Sequence, residues 1–215
     1  MSRVVILRPE PGASATLARA AAAGIEALAI PLFAIRPVEW VAPRAEDFDA
    51  LLLTSANALR HGGDQLDRLS GLPAYCVGAA SAAAARDAGF AVAGTGAGDA
   101  SALIARVPQG LRLLHLAGRD YRAIPGVTSI IVYDSAPIDP PPSLDPLNGG
   151  VAMVHSPRAG TRLAELVTER GDIGIAAISA AAAAACGSGW REVAAIDAPE
   201  DGALLALAAE LCQNR

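Results

Sequence analysis

Short apolar runs alternate with alanine-rich stretches along most of the chain, separated by Gly, Pro, Ser and Asp. Val4-Val5-Ile6-Leu7, Ala50-Leu51-Leu52-Leu53 and Val151-Ala152-Met153-Val154 show no polar alternation. Such runs fit strands buried on both faces, as in parallel sheets covered by helices. Strands are expected over residues 4–7, 27–30, 50–53, 74–77, 111–116, 130–133, 151–154, 175–178 and 193–196. Helices are expected over residues 14–23, 79–88, 180–186 and 202–212, and also from the Thr54-Ser55 turn and from Ser156. A short helix capped by Asp99 or Ser101 should run to Arg106, and Gly24 and Gly89 stand where C-caps belong. This order predicts an α/β fold with mostly parallel sheets.

The pattern repeats at one offset. Thr54-Ser55-Ala56-Asn57-Ala58 is echoed by His155-Ser156-Pro157-Arg158-Ala159, and Val77-Gly78-Ala79-Ala80-Ser81-Ala82 by Ile178-Ser179-Ala180-Ala181-Ala182-Ala183, both 101 positions later. Ala102-Leu103-Ile104 returns as Ala203-Leu204-Leu205 at the same spacing. Alanine runs match one another cheaply, so the Ser55/Ser156 block and the constant offset carry the case for two copies of one domain. The second copy ends before the strand-turn-strand unit that closes the first, residues 111–133. The unassigned unit at residues 4–30 can supply it. The expected organisation is therefore a discontinuous lobe of residues 1–36 and 137–215, an inserted lobe of residues 37–136, and a substrate cleft between them. Chain crossings are expected near residues 33–40 and 131–139, the second stiffened by Pro137-Ile138-Asp139-Pro140-Pro141-Pro142.

Composition narrows the function classes. The 215 residues are 53% hydrophobic but only 4% aromatic, so the interior is expected to be built from Ala, Val, Ile and Leu. A net charge of −5 argues against a general nucleic-acid binder, which needs a basic surface. Cys76, Cys186 and Cys212 form no C-x-x-C pair, fitting reduced thiols in a cytoplasmic protein and offering no metal site. The chain starts directly on a strand-like run, so no signal peptide is expected. Residues 173–190 carry no charge, but most are Ala, Gly and Ser, which insert poorly; a buried strand and packed helix explain them better than a membrane span.

In parallel α/β sheets ligands sit beyond the carboxyl ends of the strands, where helix N-termini favour anions. Thr54-Ser55, Gly78 to Ser81, His155-Ser156 and Ser179 all fall at such turns, although Ser and small residues are also simply good helix starts. No phosphate loop, dinucleotide fingerprint, nucleophile elbow or zinc-binding H-E-x-x-H is present. Gly94-Thr95-Gly96-Ala97-Gly98 lacks a following Lys and reads as a loop tip. His61 reads as a solvated turn residue and His115 as a strand residue, while His155 falls at a ligand-side turn. Tyr133 ends a strand, where a tyrosine either packs or donates a hydrogen bond. Arg8, Arg119, Arg122 and Arg158 follow strands and are each either carboxylate partners or solvated surface residues.

The ordered set of segments resembles the uroporphyrinogen-III synthase family. The residues that carry the resemblance are Leu7-Arg8-Pro9, Ile30-Pro31-Leu32, Phe48-Asp49-Ala50-Leu51-Leu52-Leu53-Thr54-Ser55-Ala56-Asn57-Ala58, and Val77-Gly78-Ala79-Ala80-Ser81-Ala82 with Gly89. They continue through the Gly118-Arg119 strand end, Val132-Tyr133 and Ser156-Pro157-Arg158-Ala159. The family's second G-P-T/S-T-A element stands here as Ser179-Ala180-Ala181-Ala182-Ala183. Residues 118–132 are also short for the helix normally found there. The resemblance implies two flavodoxin-like lobes with parallel sheets, joined by a two-stranded connector. It implies a cofactor-free reaction in haem biosynthesis, closure of hydroxymethylbilane to uroporphyrinogen III with loss of water and inversion of ring D. Tyr133 matches the family tyrosine proposed to aid departure of the hydroxyl, and Ser55, Ser81 and Ser156 match substrate-side turn residues. The expected protein is monomeric, cytoplasmic and free of membrane or nucleic-acid partners. A second class stays open, a non-catalytic two-lobed small-anion binder, for which the altered second element is the argument. A nucleotide-sugar transferase would need a diphosphate or acidic metal motif that is not visible.

Overall fold

The computed structural model describes residues 3–97 and 100–213. In chain order the first elements are β1 (Val4–Ile6), α1 (Gly12–Ala22), β2 (Ala27–Ala29), β3 (Phe33–Pro37), β4 (Ala50–Leu53) and α2 (Asn57–His61). Next come β5 (Ala74–Cys76), α3 (Ala79–Asp87), β6 (Val92–Thr95), α4 (Ala100–Ile104), β7 (Leu113–Gly118) and β8 (Thr128–Pro137). The chain finishes with β9 (Val151–Val154), α5 (Pro157–Leu166), β10 (Gly174–Ala177), α6 (Ala180–Ala185), β11 (Glu192–Ala195) and α7 (Asp201–Gln213). It divides into two compact units, one of Met1–Ala34 with Ala136–Arg215 and the other of Ile35–Ser135.

In the first unit the strand order is β11-β10-β9-β1-β2, with every pairing parallel. Successive residues of one strand feed opposite faces. Val5 and Leu7 join Ala152 and Val154 in the layer under α5 and α6, while Val4 and Ile6 join Val151 and Met153 in the layer under α1 and α7. Both faces are covered, which is why these strands read as unbroken apolar runs. Alanine in α6 has a packing role. A Cβ added to Gly160 of α5 would stand 2.8 Å from the Ala182 carbonyl oxygen and 3.0 Å from Cys186 Sγ, so the two helices touch backbone to backbone. Ser156 and Ser179 cap α5 and α6 by accepting hydrogen bonds from the amides of Ala159 (3.1 Å) and Ala182 (3.2 Å). Each cap contributes about 1 kcal/mol. The all-alanine α6 therefore keeps a defined start without the glycine, proline and threonines of the family element.

The second unit holds the sheet β3-β8-β7-β4-β5-β6. The pairings of β4 with β5 and β7, of β5 with β6 and of β7 with β8 are parallel. Leu51, Leu53, Leu114 and Leu116 fill one face; Ala50, Leu52 and Leu113 fill the other. The core of β5–β4–β7–β8 repeats that of β10–β9–β1–β2 in order and direction. β3 and β8 are the strands through which the chain passes from one unit to the other. The α/β class with parallel sheets is thus the observed one.

Local expectations needed correction at the sheet edges. Gly94 and Thr95 are not a loop tip: they lie in β6, where Gly94 pairs with Tyr75 and a Cβ would meet the Tyr75 ring at 2.9 Å. Gly98 and Asp99 lie outside the described residues, and Ser101 is inside α4 rather than its cap. His61 is not a solvated turn residue but the half-buried last residue of α2, and burial, with Arg60 adding, pushes its pKa down. No helix among the described residues is long and apolar enough to cross a membrane.

Candidate active site

Strands β4 and β7 are neighbours in space but not in sequence, paired as Leu51 with Leu114 and Leu52 with His115. The chain builds outward from β4 through β5 and β6, then returns to build β7 and β8 on the other side. Doubly wound sheets open a crevice at the carboxyl ends of such a strand pair. Here it is a cavity of about 270 Å³ lined by Thr54, Ser55, Gly118, Arg119, Asp120, Tyr121, Tyr133 and Ser135. Four expected site residues, Thr54, Ser55, Arg119 and Tyr133, therefore share one site.

Tyr133 is aimed by its backbone. The β7–β8 register runs Ala117 to Ile131 and then Gly118 to Tyr133, so Val132 is the extra residue of an irregularity that re-aims the following side chain. The Tyr133 ring rests where a side chain on Gly118 would begin, at 2.6 Å for Cε2 and Cζ and 2.8 Å for the hydroxyl. Only glycine at position 118 leaves that seat open. The Arg119 amide donates to the Tyr133 carbonyl at 3.0 Å, and Arg119 Nε donates to Asp134 Oδ2 at 3.3 Å.

His115 supports the opposite wall. It is 1% exposed, and burial pushes its pKa down, so the ring is neutral. Nε2 lies 2.9 Å from Thr54 Oγ1, Nδ1 lies 3.2 Å from Ser129 Oγ, and the ring edge meets Tyr121 with centroids 5.7 Å apart. A neutral imidazole donates from one nitrogen and accepts at the other, so this one fixes the Thr54 hydroxyl in either tautomer. The sequence marked His115 only as a strand residue. Asp120, Tyr121 and Ser135 were also missed, although the first two directly follow the Gly118-Arg119 strand end. Ser55 Oγ accepts from the Asn57 amide at 3.2 Å, shaping the turn into α2.

The other expected residues fall elsewhere. Gly78, in extended backbone, precedes α3, and Ser81 in its first turn is 5% exposed; neither lines the cavity. In the first unit, Arg158 stacks its guanidinium over the Phe33 ring at 4.6 Å, and Ser156 and Ser179 are the helix caps described above.

Arg8 and His155 in that unit meet at a residue the sequence did not single out, Asp201. Arg8 Nη1 donates to Asp201 Oδ1 at 3.0 Å, His155 Nε2 lies 2.7 Å from the same oxygen, and Thr16 and Arg19 also bond the carboxylate. Burial would raise the Asp201 pKa, but hydrogen bonds from His155 and Thr16 outweigh it and hold the carboxyl below its ordinary range. Burial pushes His155 down, Arg8 adds to the depression, and the Asp201 hydrogen bond opposes both. A carboxylate can only accept, so a neutral His155 carries its proton on Nε2. Among the described residues, no group of three or more His, Cys, Asp or Glu is placed to hold a metal ion.

The model of the uroporphyrinogen-III synthase HemD family matches residues 14–206. No curated protein sequence matches the chain. Among solved structures, a uroporphyrinogen-III synthetase from Helicobacter pylori superposes with a TM-score of 0.68 at 16% identity, covering 98% of this chain and 100% of that one. A mutant uroporphyrinogen III synthase from Thermus thermophilus gives a TM-score of 0.53 at 19% identity, with both chains covered in full. At such identities the structures speak for the fold, and the family match speaks for membership. The chain belongs to the uroporphyrinogen-III synthase family.

Proposed function

We propose that the Tyr133 cavity is where the hydroxymethyl end of the bilane is activated. Members of the family are cyclising lyases that convert hydroxymethylbilane to uroporphyrinogen III in haem biosynthesis, and the open question is which residues of this chain act. The observation that carries the reading is the Tyr133 phenol seated on Gly118 in a cavity shared with Thr54, Ser55 and Arg119. At about 270 Å³ the cavity is below the roughly 300–1,000 Å³ of pockets that engulf a whole ligand, so it takes one end of a linear tetrapyrrole.

The Tyr133 hydroxyl donates a hydrogen bond to the departing hydroxyl as its C–O bond breaks. The hydroxyl leaves with a proton as water, and the remaining azafulvene is stabilised as a cation by the pyrrole nitrogen. The substituted carbon of ring D attacks that methylene to give a spiro intermediate. The bond from the spiro carbon to the ring C methylene then breaks, that methylene rejoins ring D at its free α-carbon across the ring nitrogen, and loss of the proton from that carbon restores the aromatic pyrrole. In water the bilane closes without inversion, so the larger task is to hold one folded geometry. Arg119 and the Ser55 hydroxyl are carboxylate donors for that purpose, and Thr54, its hydroxyl fixed by His115, shapes the wall beside them. We further propose a cytoplasmic monomer with no nucleic-acid partner, the last of these supported by the net charge of −5.

Arg119→Ala tests the donor role. Its partner Asp134 is 25% exposed and stays solvated without it, so the fold should hold. Initial rates are expected to show KM raised roughly tenfold with kcat little changed, the pattern of a lost ground-state contact. An unaltered KM would remove Arg119 from the binding set.

A further inference from the structure

Arg8 is held as if for a ligand. Strands β1 and β9 are paired, Ile6 with Met153, although the chain leaves β1 toward β2 and places β9 on the other side. Their carboxyl ends flank the crevice position of this sheet, and Arg8 and His155 follow those two ends.

Two features fix the Arg8 guanidinium. Nη1 is tied to Asp201, whose carboxylate is held in turn by Thr16, Arg19 and His155. The rest of the group fills the space where a side chain on Gly12 would start: a Cβ there would lie 2.3 Å from Nε, 2.6 Å from Cζ and 2.7 Å from Nη2. Asp201 is the one hydrogen-bond partner of the Arg8 side chain among the described residues, so most of its five donors are unused. The side chain is still 32% exposed. With His155 neutral, Arg8 and Arg19 against Asp201 leave one positive charge, and Glu10 turns its carboxylate to the amide and hydroxyl of Ser14.

We propose that Gly12 and Asp201 are positioning residues that present Arg8 to one carboxylate of the substrate. This rests on the bilane reading above, because only a polycarboxylate substrate gives the unused donors a task. Gly12 acts by having no side chain, and Asp201 by setting the direction of the guanidinium. Arg8 then meets the ligand with its orientation already fixed.

Gly12→Ala separates positioning from structure. Alanine is the better helix former in the first turn of α1, and the three atoms its methyl would meet first all belong to the end of the Arg8 side chain. The thermal midpoint should therefore hold or rise while KM for hydroxymethylbilane rises roughly tenfold and kcat stays within about twofold. Arg8→Lys should show the same split, because a lysine cannot span both Asp201 and the Gly12 seat. Titration of oxidised uroporphyrin, also an octacarboxylate, by calorimetry provides a readout that needs no turnover. Affinity should weaken by the same factor in both variants. If the wild-type protein forms the type III isomer and Gly12→Ala keeps its KM, the positioning role is wrong while the enzymatic reading stands. If the wild-type protein forms none, that reading fails and the titration decides alone. Weaker binding by Gly12→Ala supports the site; equal binding, or none by wild type, overturns it.

Discussion

Replacing Tyr133 with phenylalanine is expected to lower kcat for uroporphyrinogen III formation roughly a hundredfold, with KM and the thermal midpoint nearly unchanged. The substitution removes one oxygen and keeps the ring. The seat against Gly118 and the register irregularity between β7 and β8 persist, because both depend on the ring and the backbone. What is lost is the donor facing the departing hydroxyl. Thr54 lies on the opposite wall with its hydroxyl committed to His115, so it does not substitute readily. Positioned proton donors commonly contribute between about a hundredfold and ten-thousandfold, and a neutral phenol belongs at the low end. Stopped assays with separation of the oxidised porphyrins give both rate and isomer. A variant with full rate would take Tyr133 out of the chemistry and leave the cavity as a binding site.

Gly160→Val should have the largest effect on stability, a loss of about 3 kcal/mol. The first methyl position is already 2.8 Å from a backbone oxygen of α6 and 3.0 Å from Cys186 Sγ. Neither can swing away as a surface side chain would. α6 must back off from α5, opening the layer that holds Leu163, Ala182, Cys186 and Trp190. At about 2–4 °C per kcal/mol for a chain of this size, the thermal midpoint should fall by roughly 6–12 °C. Both helices belong to one unit, so circular dichroism during heating reports the change directly. An unchanged midpoint would mean that the two helices are not in backbone contact.

The parts of the fold that were legible are those where burial is two-sided. β4, β9 and β10 each pair with strands on both flanks and are covered on both faces, leaving short apolar runs whose length and flanking turn residues mark them as strands. The spacing of 101 was readable because β4 and β9, and likewise α3 and α6, begin 101 positions apart. Of the edge strands, β2 and β11 were legible, but β3 and β6 escaped. β6 alternates half-buried and exposed residues around Gly94, and β3 ends in Arg36-Pro37, so neither has the signature of a core strand.

The site divides in the same way. Thr54, Ser55 and Arg119 each follow a strand, and strand ends can be read from the chain; Tyr133, expected at a strand end, lies inside β8 and is turned to the cavity by the register irregularity at Val132. His115 looked inert because its role is a pair of hydrogen bonds to residues 61 and 14 positions away. Asp201 stands 193 positions from Arg8, and as an acidic residue opening a helix it reads as an ordinary dipole partner. Gly12 gives even less warning. Its contribution is the space it leaves for Arg8, which exists only once α1 is folded beside the end of β1.

A chain that holds hydroxymethylbilane in the geometry that inverts ring D reveals it in the isomer it releases. Purified protein given hydroxymethylbilane, with the products oxidised and the porphyrin isomers separated, tests it most directly. Predominantly the type III isomer is expected, formed faster than the spontaneous closure seen in buffer. Type I alone, at the buffer rate, would contradict it.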